Sequence, residues 1–197
     1  MSQMDRKTLL ERAGIGAGAL ALPALLGAEA AFAGPANGHR IYALVAFSQA
    51  PPVPGGPARP RLLVVCCGNF KPDAGQIRGG GSWSLVDWDG AFGTAIPISW
   101  GRWQPRELVD YTTNFGPPAN PAGIVQATQA SIIDMRADFE GLADNAPMRL
   151  ICNIGPAGIS TGQPEGYKAT IPGYGEFVPV GLGLSHTSIE GTHLSAG

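Results

Sequence analysis

The chain has 197 residues, 13 basic and 15 acidic, for a formal net charge of −2. No basic cluster is present, which argues against a nucleic-acid footprint. Only 14% of residues are charged, against the ~25% usual in soluble domains, so the surface must rest on hydroxyls, glycine and backbone, or be covered in part by a partner.

Residues 1–33 read as an export leader. Arg6, Lys7 and Arg12 make a basic start, Ala13 to Ala28 is apolar, and Ala31-Phe32-Ala33 supplies a small-x-small cleavage pattern. Asp5-Arg6-Lys7-Thr8-Leu9-Leu10 resembles the twin-arginine export signal, with Lys7 where the second arginine normally stands. The apolar stretch falls short of the ~20 residues a spanning helix needs, and Pro23 interrupts it. The expectation is cleavage after Ala33 and an exported mature chain, periplasmic or extracellular, with no membrane span. Residues 34–197 then form a single β domain.

The mature part reads as strands separated by glycine and proline. The 29 glycines and 18 prolines act as punctuation, as a β chain with many turns requires. Arg40 to Ser48 is the first predicted strand. Ala50 to Pro60 is a loop, and Arg61 to Cys67 is a continuous apolar run expected to be buried on both faces. Gly68 to Gly75 is read as the next loop. Gly79-Gly80-Gly81 marks a bulge or a close backbone approach. From Ser82 to Trp88, Trp83 and Leu85 alternate against Ser84, Val86 and Trp88, the period-2 signature of a strand. Asp89-Gly90 is a hairpin signal. It outweighs a calcium-loop reading of Asp87-Trp88-Asp89-Gly90, whose later ligand positions are Ala91, Phe92 and Gly93.

The return run to Ile98 contains Pro97, which implies an edge or a bulge. Arg106 to Thr112 is read as a separate strand, and Asn114 to Gly123 as a loop. Ile124 to Phe139 alternates a charged face (Asp134, Arg136, Asp138) with an apolar one, so a long strand is expected there rather than a helix. Asp144 to Pro147 is read as a turn. Strands follow at Met148 to Ile154, Tyr167 to Ile171 and Glu176 to Val180, and a last one at His186 to Glu190. Eight or nine turn-linked strands predict an all-β fold, an antiparallel sandwich or a small barrel.

The chain has three cysteines. A disulfide from Cys66 or Cys67 to Cys152 would survive outside the cytoplasm and close a loop of about 85 residues. Its alternative is three buried thiols. No Cys-x-x-Cys pattern points to a metal, and no cofactor motif is present. His39, His186 and His193 assemble into no catalytic pattern.

Glu107 and Asp110 alternate on the Arg106 to Thr112 strand. One of them pointing into a barrel beside an aromatic residue would have a raised pKa and could serve as acid or base. Trp100, Trp103 and Tyr111, with Arg106, could form a platform for a carbohydrate or another small apolar ligand.

Gly79 to Asp87 (Gly-Gly-Gly-Ser-Trp-Ser-Leu-Val-Asp), Cys152 to Gly158 and Thr161 to Gly166 resemble segments of exported bacterial proteins that carry a twin-arginine-type leader and have no assigned activity. The resemblance implies a shared β domain and supplies no substrate or catalytic residue. The function expected is an exported, non-catalytic β domain that binds a protein partner or ligand, or builds part of the envelope. A small-barrel enzyme using Glu107 or Asp110 is the alternative. A homo-oligomer formed through strand edges is a further expectation.

Overall fold

A computed structural model describes residues 40–89, 91, 94–113, 115, 130–153 and 161–187. They form a closed antiparallel barrel of eight strands: β1 (Arg40–Gln49), β2 (Pro60–Lys71), β3 (Gln76–Asp87), β4 (Ile96–Thr112), β5 (Ser131–Phe139), β6 (Ala143–Cys152), β7 (Gly166–Ile171) and β8 (Gly175–Thr187). Every strand pairs with its neighbours in sequence, and β1 pairs with β8 to close the wall. Closure removes the strand edges that an open sheet would leave. A single 3₁₀ turn, Pro72–Ala74, links β2 to β3.

Alternation sorts each strand into an inner and an outer face. Tyr42, Leu44 and Ala46 of β1 point inward and pair with Gly68, Cys66 and Val64 of β2. The inner tier continues through Trp83 and Leu85, Trp103, Ile133 to Phe139, Met148 to Cys152, Tyr167 and Phe177. An eight-stranded barrel is just wide enough for side chains to fill. Here Trp83, Tyr42, Tyr167, Phe70, Phe139 and Phe177 are among the largest fully buried residues. Trp103 stacks on Phe139 at 5.9 Å with an interplanar angle of 19°. Tyr167 reaches from β7 towards β2, where its hydroxyl donates to the Leu62 carbonyl, and Ser48 of β1 donates to the carbonyl of Tyr167.

These rings fit because glycines face them. A Cβ on Gly68 would collide with the Tyr42 ring, and one on Gly101 would sit 2.9 Å from the Trp83 indole nitrogen. Gly79 and Gly80 have φ of +124° and +135°, and a Cβ on Gly80 would run into the Trp103 carbonyl. The close backbone approach expected at Gly79 to Gly81 is therefore present, inside β3 rather than ahead of it.

The barrel settles the choice between sandwich and barrel, and it joins runs that the sequence reading separated. The Pro97 run and the Arg106 run are one 17-residue strand, β4. Pro97 lies beside one register shift and Pro105 beside another, so bulges absorb the missing amides. Gly68 to Lys71, read as loop, extends β2, and Asp144 to Pro147, read as a turn, lies in β6 with Asn145 at a φ of +54°. The strand reading of Ile124 to Phe139 holds for Ser131–Phe139. The last predicted strand begins inside β8, while 188–190 lie outside the described residues. So do residues 1–39, Gly90, His193, residues 116–129 and residues 154–160.

Of the two cysteine readings, the bridge from Cys66 or Cys67 to Cys152 is not formed. Cys66 and Cys152 both face inward, but β2 and β6 are four strand spacings apart in either direction round the wall. At about 4.8 Å per spacing they stand on opposite walls, beyond the roughly 7 Å a bridge can span. Cys67 faces outward.

Gly80→Ala combines a forbidden φ with a backbone collision and is expected to destabilise by about 3 kcal/mol or more. Gly55→Ala, at a φ of +70° with open space around it, is expected to cost only about 1 kcal/mol. Urea unfolding of the two variants checks the difference; equal losses would contradict the account of ring-facing glycines.

Candidate binding surface

The residues singled out in sequence are scattered by the fold. Trp103 is in the core, 2% exposed, while Trp100 points outward opposite Ser84 and is 51% exposed. Tyr111 is half-buried at one barrel end, where its ring meets the edge of Phe70 at 4.8 Å. Its hydroxyl accepts a hydrogen bond from Arg40 Nη1 at 2.8 Å. Arg106 lies on the outer wall in an ion pair with Asp138. Trp100, Trp103, Tyr111 and Arg106 therefore make no common platform.

Glu107 and Asp110 do not enter the barrel. Simple alternation would turn one of them inward, but the ladder between β4 and β5 shifts register between Pro105 and Glu107 and again between Leu108 and Asp110. Each bulge adds a residue and reverses parity. Leu108 points in, and Glu107 and Asp110 are both exposed on the outer wall. The buried carboxylate that acid–base chemistry would need is not formed by either.

The bulges help to shape the wall that these two residues border. A groove of about 460 Å³ crosses the outer faces of β4 to β8, lined by Val109, Asp134, Arg136, Pro147, Arg149, Lys168, Thr170 and Glu176 along with backbone of inward residues. Register places its charges in two tiers. Asp110, Asp134, Arg149 and Lys168 follow one another across β4 to β7, and Glu107, Arg136 and Pro147 lie in the next tier. Arg149 is committed: its Nε and Nη2 donate to the two oxygens of Asp134 at 2.6 and 2.8 Å. Such a partly exposed pair adds about 1 kcal/mol or less to stability, but it fixes the fork in place. No ion pair or side-chain hydrogen bond occupies Arg136 or Lys168 among the described residues. Two uncommitted cations thus flank a fixed guanidinium–carboxylate pair in a concavity.

Elsewhere the polar groups are spent on structure. Asp87 accepts the amides of Ala58 and Arg59 at 3.2 and 2.9 Å. Asp89 accepts the Ala91 amide at 2.9 Å together with the Thr94 hydroxyl. Gly90 of the expected Asp-Gly turn lies outside the described residues, and β3 and β4 are joined by residues 88–95 rather than by a two-residue turn. Trp88 folds back on the outer wall against Phe47, at 5.1 Å, with the Arg61 guanidinium over its ring at 4.9 Å. Glu165 ties three strands together, accepting from the amides of Asn153 and Ser185 and from the Ser185 hydroxyl at 2.6 to 2.7 Å. Burial pushes the phenols of Tyr42 and Tyr167 and the thiol of Cys66 above their ordinary pKa values, so none is primed as a nucleophile.

Among the described residues no group of three or more His, Cys, Asp or Glu could hold a metal ion, and no helix is long and apolar enough to cross a membrane. The outer face of β4 to β7 carries Glu107, Asp110, Asp134, Arg136, Arg149 and Lys168 where a lipid-facing barrel would need an apolar band. No family model matches this chain, and neither a curated protein nor a solved structure matches it.

Sequence reasoning missed Arg149 and Lys168 as site residues. Their only signal was the polar face of two alternating strands, and nothing local ties residue 149 to residue 168 before the register is known.

The Asn145 amide, donating to Asp138 Oδ1 at 2.9 Å, and then the Arg106 guanidinium hold the Asp138 carboxyl below the ordinary carboxylate range, against an opposing effect of burial. The folded state therefore binds this proton less readily than the unfolded chain. The stabilisation is complete above the unfolded value of about 3.9 and is lost as pH falls through the lowered folded value. Asp138→Asn is expected to lower the urea midpoint at neutral pH, and the gap from wild type is expected to shrink in strongly acidic buffer. A constant gap across that range would contradict this assignment.

Proposed function

We propose that this protein is an exported, non-catalytic binding domain that holds an extended, acidic partner segment against the outer wall of its barrel. The single observation that carries the reading is where the space lies. The described interior is filled by aromatic and aliphatic side chains, while the outer groove presents Arg136 and Lys168 uncommitted beside the Arg149–Asp134 pair. A filled core favours surface recognition over chemistry inside the barrel, and neither carboxylate suggested for catalysis is buried. Export rests on the leader pattern of residues 1–33.

Arg136 and Lys168 attract anionic groups locally, against the carboxylates of Glu107, Asp110 and Glu176 on the same wall, and the attraction is screened by salt. An octaglutamate peptide is the simplest probe. Fluorescence anisotropy should show binding that weakens with added salt. The double variant Arg136→Glu, Lys168→Glu should lose at least about tenfold in affinity, or ~1.4 kcal/mol, with an unchanged circular-dichroism spectrum. Equal binding by both proteins, or no binding by wild type, would overturn the groove assignment. Turnover of any compound in a broad hydrolase and isomerase panel would overturn the non-catalytic part.

A further inference from the structure

Closure gives every strand two neighbours, but not along its whole length. β4 has 17 residues and β5 only nine. The ladder between them begins where Trp103 stands opposite Phe139. One step further the Glu140 amide donates to the Arg102 carbonyl at 2.8 Å, and there the second neighbour ends. Residues 96–101 pair with β3 alone. At their other edge no backbone hydrogen bond is made among the described residues.

The ladder also fixes what that edge offers. In an antiparallel pair a residue turns its amide and carbonyl to one side of the strand, and the next residue turns them to the other. Arg102 turns both towards β5, its carbonyl to the Glu140 amide and its amide to the Glu140 carboxylate at 3.2 Å. Trp100, two residues back, therefore turns its amide and carbonyl to the open edge. Leu85 pairs with Ser99 and Val86 with Pro97, so a bulge takes in Ile98. Pro97 then turns its carbonyl to the open edge as well, and its missing amide costs no ladder bond there. The same stretch carries three of the five exposed large apolar side chains among the described residues, Ile96, Ile98 and Trp100, at 58%, 41% and 51% exposure. They present on the order of 300 Å² of apolar surface, the size at which a patch on a monomer marks a contact site. Residues 94–101 include no charged side chain to repel a partner.

An unpaired, uncharged and apolar strand edge is a template for another strand. We propose that residues 96–101 are a homodimer contact, in which the β4 edges of two copies of this chain pair antiparallel about a twofold axis. Pro97 and the bulge select this occupant. A long foreign strand would run into a missing donor and an extra residue. Two copies avoid both when Trp100 of each stands opposite Pro97 of the other. Each Trp100 amide then donates to a Pro97 carbonyl. The indole, outward opposite Ser84, covers the proline ring, outward opposite Val86. Such a contact is isologous and closes after two copies, so no fibre follows. A standard interface buries about 800 Å² on each partner, and the apolar patch is less than half of that, so the dimer is weak and depends on concentration.

Sedimentation of the full chain, from about 1 μM to about 1 mM, is expected to show monomer passing to dimer. Trp100→Glu should weaken the association at least about tenfold with an unchanged circular-dichroism spectrum. Hydrogen exchange reads the edge itself: the Trp100 amide should slow at least about tenfold between dilute and concentrated protein, as a newly bonded strand amide does. The double variant Arg136→Glu, Lys168→Glu should dimerise as wild type does, and Trp100→Glu should bind octaglutamate as wild type does, so the two surfaces fail separately. The proposal is overturned if wild type stays monomeric throughout, if Trp100→Glu dimerises as tightly, or if the Trp100 amide exchanges equally fast at both concentrations. Monomeric protein that floats with phosphatidylcholine vesicles, and no longer does so as Trp100→Glu, would overturn it in favour of a lipid surface.

Discussion

Tyr42, Trp83 and Trp103 stand next to glycines of neighbouring strands, and the closed wall depends on that arrangement. Eight strands enclose only enough room for one layer of side chains from each direction. Large rings fill that room only where the facing strand offers no Cβ. Gly68 and Gly79 leave space for Tyr42, Gly101 lies under Trp83, and Gly80 lets β3 pass close to the Trp103 backbone. With this space filled, β1 can meet β8 and the sheet has no open end. The same glycines supply the local kinks that let a twisted sheet curl.

A filled interior displaces function to the surface. The bulges in β4 matter twice in this respect. They turn Glu107 and Asp110 out of the barrel, and they push Val109 to the rim of the groove over β4 to β8. The charges of that groove come from separate strands brought side by side by short connections. The Arg149–Asp134 pair gives the wall a fixed feature, and Arg136 and Lys168 remain open to a partner.

Much of the fold was legible because alternation survives in β1, β3 and β7, whereas β2 was read from a continuous apolar run expected to be buried on both faces and instead leaves Val65 and Cys67 half-buried on the outer wall. The strand reading of residues 131–139 succeeded on the same ground, since Asp134, Arg136 and Asp138 do share the outer face. What alternation could not carry was parity across a bulge. Pro97 and Pro105 looked like breaks, yet β4 runs through both because register shifts take up the missing amides. The cysteine pairing failed for a related reason. Facing inward is a local property, but standing on the same wall is set by strand order, which no short stretch of sequence records. The candidate site suffered most. Trp100 and Trp103 differ by three positions and so face opposite ways on a strand, which alternation does announce, whereas Arg136, Arg149 and Lys168 converge only through the register of three ladders.

The account stands or falls on closure, and native-state hydrogen exchange tests closure most directly. Ala43 and Val45 in β1 face His186 and Leu184 in β8 across the seam, and the amides of these residues are expected to exchange as slowly as those of Ile133 and Leu150 in β5 and β6, close to the limit set by global unfolding. Fast exchange along β1 and β8, with protection confined to β2 to β7, would show an open sheet with two free edges and contradict the closed, filled barrel.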